Sequence, residues 1–113
     1  MYADMLEFKP ACAGNSIYLY SAFENGEKTG ECRFSIDGMY MDFLSVEASD
    51  PLIAEGLIRS SLNFGANRNA YIARVNTENI DSQPFIALKF SRKGGLLTAE
   101  IPFALQGSCK DFQ

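Results

Sequence analysis

"SDPLIAEGLIRSSLNFGANRN", residues 49–69, decides how this chain folds, because the spacing of its apolar residues departs from that of the run before it. That run, "MYMDFLSV" (39–46), carries large apolar side chains on both faces, as a central strand does. From Leu52 the apolar positions Ile53, Leu57, Ile58, Leu62 and Phe64 recur at helical spacing and leave Arg59, Asn63 and Asn67 outside. Asp50 suits the N-cap, and Pro51 suits the first helical position, where its missing N–H costs nothing. Glu55 in the early helix favours the helix dipole. The spacing predicts a helix over 51–67.

Working outward, "SIYLYSAF" (16–23) is aromatic and β-branched, and "NGEKTG" (25–30) reads as a turn. "ECRFSI" (31–36) alternates, with Cys32, Phe34 and Ile36 on one face, and Asp37-Gly38 is a hairpin signal. Beyond the helix, "AYIARV" (70–75) is a short strand. "NIDSQPFIALKF" (79–90) reads as a second helix, in which Pro84 implies a late start or a kink. "SRKGG" turns the chain, and "LLTAEIPFAL" (96–105) returns as a strand. The order is β-β-β-α-β-α-β, an antiparallel meander followed by a βαβ crossover. The fold class is α+β (α/β), with a central mixed sheet and helices, and strands 39–46 and 70–75 as parallel neighbours. A ligand site is then expected at the carboxyl ends of those strands, where "SDPLIAEG" lies.

Composition narrows the function classes. With 113 residues, 47% hydrophobic and 21% charged, the chain reads as one compact domain over 1–113. The net charge is −4 and only Arg92 and Lys93 are adjacent among the bases, so no basic stripe recommends nucleic acid. Histidine is absent, which removes the commonest general base and metal ligand. Cys12, Cys32 and Cys109 are too far apart for a zinc motif, and an odd count argues against a disulfide framework. Reduced thiols and a cytoplasmic location are expected, with Cys32 in the core and Cys109 exposed. No metal, no secretory leader and no membrane span are expected.

The helix and its flanks resemble the acetyl-CoA-binding core of the GCN5-related N-acetyltransferases, the acyl-CoA N-acyltransferase fold. Members read strand, then Gln/Arg-x-x-Gly-x-Gly/Ala, then a helix that "IAEGLIRSSLNFGANRN" (53–69) follows closely. "AYIARV" is similar to the next strand, and "PFIALKF" (84–90) to the segment closing the last motif. The likeness covers 16–105 and leaves out the family's N-terminal strand and helix pair. It implies acetyl-CoA or another acyl-CoA as cofactor, with Val46, Ala54, Glu55 and Gly56, and Asn76 and Asn79 after the following strand, as contacts. It implies a carboxylate base, for which Asp42 and Glu47 are candidates, and transfer to a small-molecule or peptide amine. The alternatives for these residues are plainer: a rim acid, a solvated loop acid, and turn-forming asparagines.

The departures from the family pattern bear on chemistry. In register, the motif's Gln/Arg falls on Ser49 and its first glycine on Leu52; only Ala54 conforms. The family loop cradles pyrophosphate on successive backbone N–H groups at a helix N-terminus. Here Asp50 places a carboxylate there and Pro51 deletes a donor, so the turn reads as closed to anions. The family's tyrosine acid falls on Phe85, and the glycine of its "GF" pair on Lys89. Tyr71 or Tyr40 are the remaining phenols that could protonate a leaving thiolate. Two function classes stay open. One is an acyl-CoA-dependent N-acyltransferase with weak cofactor contacts; the other is a non-catalytic relative binding a small ligand or a protein. "SIYLYSAF" and "EIPFALQGSCKDF" read as apolar edges for self-association into a homodimer.

Overall fold

A computed structural model describes residues 6–109, with side chains through Leu105. The elements in chain order are β1 (Leu6–Gly14), β2 (Ile17–Glu24), β3 (Glu27–Asp37), β4 (Tyr40–Ala48), α1 (Pro51–Ala66), β5 (Ile72–Val75), α2 (Gln83–Ala87), β6 (Ser91–Lys93), β7 (Leu96–Glu100) and α3 (Ile101–Cys109). The described strands form one sheet in the order β1-β2-β3-β4-β5-β7-β6. β1 to β4 are an antiparallel meander, β4 and β5 are parallel, and β7 closes antiparallel on β5. The meander, the crossover and the parallel pair stand as the sequence predicts.

Local chemistry sets the turns. Asn25 and Gly26, at φ 55° and 86°, make the two-residue link between β2 and β3. The predicted turn over 25–30 is thus confined to its first two residues, and Glu27 already pairs with Glu24. The Asp50 carboxylate caps α1, accepting from the Ile53 N–H at 2.9 Å, and Pro51 occupies the first turn. α1 ends where Asn69 turns left-handed at φ 72° and the Ala70 N–H returns to the Gly65 carbonyl at 2.9 Å.

α1 packs its buried side on the sheet. Phe64 meets Tyr18 and Phe34 at ring distances of 4.9 and 5.7 Å, and the Ser61 hydroxyl approaches the Cys32 sulfur at 3.6 Å. Gly56 lies under the Phe8 ring of β1, so close that a Cβ there would collide with it. α2 lies against the same sheet face, its Phe85 ring 5.1 Å from Phe43 and 5.2 Å from Phe90. α3 packs on α1 and β7. The other face carries polar pairs instead. Asp42 binds Arg74 through two hydrogen bonds of 2.8 and 3.0 Å, and the Arg74 guanidinium lies 4.2 Å from the Tyr40 ring centre.

Five expectations need correction. A strand does stand ahead of Ser16: β1 pairs with β2 from Leu6↔Glu24 to Gly14↔Ile17, although no helix separates the two. It is an exposed edge strand, where Pro10 forfeits no needed donor and the alternation is weak. That strand also covers "SIYLYSAF", which is therefore no edge. The predicted strand over 96–105 stops at Glu100, because β5 has no residue left to pair. Ile101 gives its N–H to the Tyr71 carbonyl at 2.7 Å, and buried Ile101 and Ala104 then continue at helical spacing as α3. "SRKGG" is a strand as well as a turn, since β6 pairs with β7 around Gly94. The helix predicted over 79–90 spans only Gln83–Ala87, starting late at Pro84 as its missing donor requires. The Cys109 side chain lies outside the described side chains.

Candidate functional site

The site follows from the lengths of two neighbouring strands. β5 pairs with β4 from Tyr40↔Ile72 to Phe43↔Val75 and ends there. β4 continues from Leu44 to Ala48 with no β5 partner, and a bulge between Arg33 and Phe34 brings Val46 opposite Cys32. A cleft of about 890 Å³ opens at this divergence. Its walls are Val46 to Ala48 of β4, the turn Ser49 to Pro51, Ala54 and Glu55 of α1, and Asp81, Gln83, Pro84 and Ala87 around α2. Four carboxylates border it (Glu47, Asp50, Glu55 and Asp81), and no Lys or Arg does.

The anion position at the start of α1 is already filled. An uncapped helix start presents up to four free N–H groups and a positive dipole end, which together attract phosphate. Here Asp50 takes the Ile53 donor at 2.9 Å, and Pro51 has no N–H to offer. Across the cleft, the Asp81 carboxylate accepts from the Gln83 N–H at 3.2 Å.

Of the predicted cofactor contacts, Val46, Ala54 and Glu55 line the cleft, whereas Gly56, Asn76 and Asn79 do not. Gly56 lies on another flank of α1, beneath Phe8. Asn76 turns back on its own loop, its side-chain oxygen accepting from the Glu78 N–H at 3.0 Å, and Asn79 is exposed. Of the predicted catalytic groups only Glu47 borders the cleft. Asp42 is committed to Arg74, whose own basicity is raised mainly by that hydrogen bond. Tyr71 lies beside the start of β4, its N–H on the Met39 carbonyl at 2.7 Å. That is roughly 25 Å along the strand from Glu47. Its hydroxyl donates to Glu100 at 3.3 Å, and the negative charge of Glu100 raises the pKa of the phenol, which keeps its proton more tightly. Tyr40 is held under Arg74. The three predicted catalytic residues are therefore not brought together. Sequence reasoning missed Asp81, Gln83 and Ala87; the late start forced by Pro84 was the signal that places them at the cleft.

Phe85, at the family's tyrosine position, is fully buried among Phe43 and Phe90. Lys89, at the glycine position, is left-handed at φ 77°, and the Phe90 N–H returns to the Phe85 carbonyl at 3.0 Å. The turn has the left-handed backbone that glycine favours, although the residue is lysine. Among the described residues, no group of three or more His, Cys, Asp or Glu is placed to hold a metal ion, and no helix is long and apolar enough to cross a membrane.

The chain matches no family sequence model and no curated protein by sequence. Solved structures do resemble it. The aminoglycoside 6'-acetyltransferase type Ii superposes with a TM-score of 0.68 at 12% identity, over 76% of this chain and 70% of that one. A GNAT family acetyltransferase from Elizabethkingia anophelis with acetyl-CoA bound gives 0.63 at 14% identity, over 84% of this chain and 97% of that one. The PaiA N-acetyltransferase from Thermoplasma acidophilum in complex with coenzyme A gives 0.62 at 13%, over 75% and 61%. The mixed sheet, the β4–α1–β5 crossover and these superpositions agree: the chain has the fold of the GCN5-related N-acetyltransferases.

Proposed function

We propose that this chain is a binding domain on the N-acetyltransferase fold, whose cleft takes a ligand other than the nucleotide end of coenzyme A. The observation that carries this reading is the Asp50 carboxylate on the Ile53 N–H at 2.9 Å, where a pyrophosphate would otherwise collect its donors. Two like unit charges about 4 Å apart repel by about 4 kcal/mol near a protein surface, and a pyrophosphate brings more than one. A single helix terminus returns about 0.3–1 kcal/mol at an exposed site. Repulsion wins, and Glu55 and Asp81 add to it.

Thermal unfolding in the presence of acetyl-CoA, coenzyme A and free pantetheine tests the reading. A ligand at a hundred times its Kd adds about 2.7 kcal/mol of stability. No shift is expected with 1 mM acetyl-CoA or coenzyme A. Micromolar binding of either by the natural sequence overturns the reading.

A second reading, slow acyl-CoA-dependent N-acyl transfer to an amine, is favoured by the neighbours that carry acetyl-CoA and coenzyme A. In it Glu47 takes the amine proton, the new C–N bond forms as the thioester C–S bond breaks, and the thiolate draws its proton from water. General acid help is typically worth 10²–10⁴-fold, and buried Phe85 supplies none. Acyl transfer measured with an amine panel, and its loss in Glu47→Gln, separates this reading from the first.

A further inference from the structure

We infer that the cleft receives an extended basic peptide, added as a short strand along the free edge of β4. This rests on the binding-domain reading above and names the ligand class for the same cleft. Two observations carry it together. β4 runs five residues past its last β5 partner, from Leu44 to Ala48, so its β5-facing side has no strand neighbour among the described residues. Such an edge presents alternate N–H and C=O groups, and an extended main chain satisfies them at 4.7–4.9 Å spacing. The second observation is the sign of the walls, with Glu47, Asp50, Glu55 and Asp81 facing no lysine or arginine. An incoming strand needs side chains that answer those carboxylates, and lysine or arginine at alternate positions does so. The free edge spans about 17 Å, which suits roughly five residues. The apolar part of the wall is small (Val46, Ala54, Ala87), so the intervening residues should be small or β-branched.

The test uses the full chain and a fluorescein-labelled peptide of alternating Val and Lys, six residues long and capped at both ends, read by fluorescence anisotropy. Binding is expected to weaken about tenfold or more in three arms: Lys replaced by Glu, alternate peptide nitrogens methylated, and salt raised from 50 to 300 mM. The double variant Glu55→Gln, Asp81→Asn keeps both side chains' shapes and should bind about fivefold or more weakly. Glu27→Gln in the β2–β3 hairpin should bind as the natural protein does. Spermidine carries the charge without the main chain and should compete only weakly. The inference is overturned by no binding at 1 mM peptide, by equal binding of the Glu or methylated peptide, or by spermidine competing as well as the peptide. Acetyl-CoA is run in parallel by thermal shift. Failure of the peptide with acetyl-CoA still unbound removes this inference alone, whereas acetyl-CoA binding removes the reading beneath it.

Discussion

Replacing Asp50 separates the two roles its carboxylate plays, capping α1 and closing the anion position. Asp50→Ala removes the acceptor for the Ile53 N–H and costs about 1 kcal/mol. Adding Pro51→Ala costs about 0.5–1 kcal/mol more through the freer unfolded chain, and restores a backbone N–H. For 113 residues the entropy of unfolding is about 240 cal/mol/K, so 1 kcal/mol corresponds to about 4 °C in Tm. The double variant should therefore melt about 6–8 °C below the natural protein. It should also gain what the natural turn lacks. If its freed amides hold pyrophosphate with a Kd of about 1 mM, 20 mM pyrophosphate returns about 1.8 kcal/mol, or about 7 °C. Asp50→Asn is the control, since its amide oxygen keeps the cap and the amides stay occupied. It should melt within about 2 °C of the natural protein and remain indifferent to pyrophosphate. Scanning fluorimetry at low salt reads all three. The reasoning fails if Asp50→Ala does not destabilise, or if the natural protein gains from pyrophosphate as much as the double variant does.

Phe85→Tyr introduces a hydroxyl at a fully buried position ringed by Phe43 and Phe90 and should cost about 1–3 kcal/mol, with no acyl transfer gained; brisk transfer in that variant would contradict the packing. Lys89→Gly relieves a left-handed residue at φ 77° and should raise stability by about 0.5–1 kcal/mol in urea titrations, whereas Lys89→Val should lower it. Cys32 is buried, and desolvation pushes its thiol up to about 12 from 9.0. The folded state therefore holds this proton where the unfolded chain has lost it. Its contribution to stability is complete below pH 9 and drains away as pH rises from 9 towards 12, which a Cys32→Ala variant should flatten. Iodoacetamide at pH 8 followed by peptide mapping should modify exposed Cys12 and spare Cys32 until the protein unfolds.

What could be read from the sequence was what local rules govern. The change of period in the run 49–69, with Asp50 and Pro51 at its head, located α1 to within one residue, and the cap bond is the one those residues predict. The parallel pairing of β4 and β5 followed from the helix between them, which makes the connection a βαβ crossover. The misses concern partners that sequence spacing does not show. Residues 101–105 look like strand, and become helix only because β5 begins at Ile72, opposite Glu100, and offers no earlier residue to pair. β1 has the composition of a loop, and is a strand because β2 offers it an edge. Asp42 and Glu47 looked equivalent as bases; an arginine thirty-two residues downstream, in register with Asp42, removes one of them. Tyr71 was misplaced for a similar reason, since its strand begins rather than ends beside the start of β4.

The Phe8 ring over Gly56 carries a consequence for the order in which the molecule comes apart. β1 is exposed along nearly all its length, and the ring at Phe8 is its half-buried position. Its amides should exchange with deuterium through a local opening well below the global unfolding free energy, while those of β3 and β4 wait for the whole core. Each opening bares the outer rim of β2, where a second molecule's β1 fits as well as the native one. At high concentration, strand exchange between copies is then the misassembly to expect.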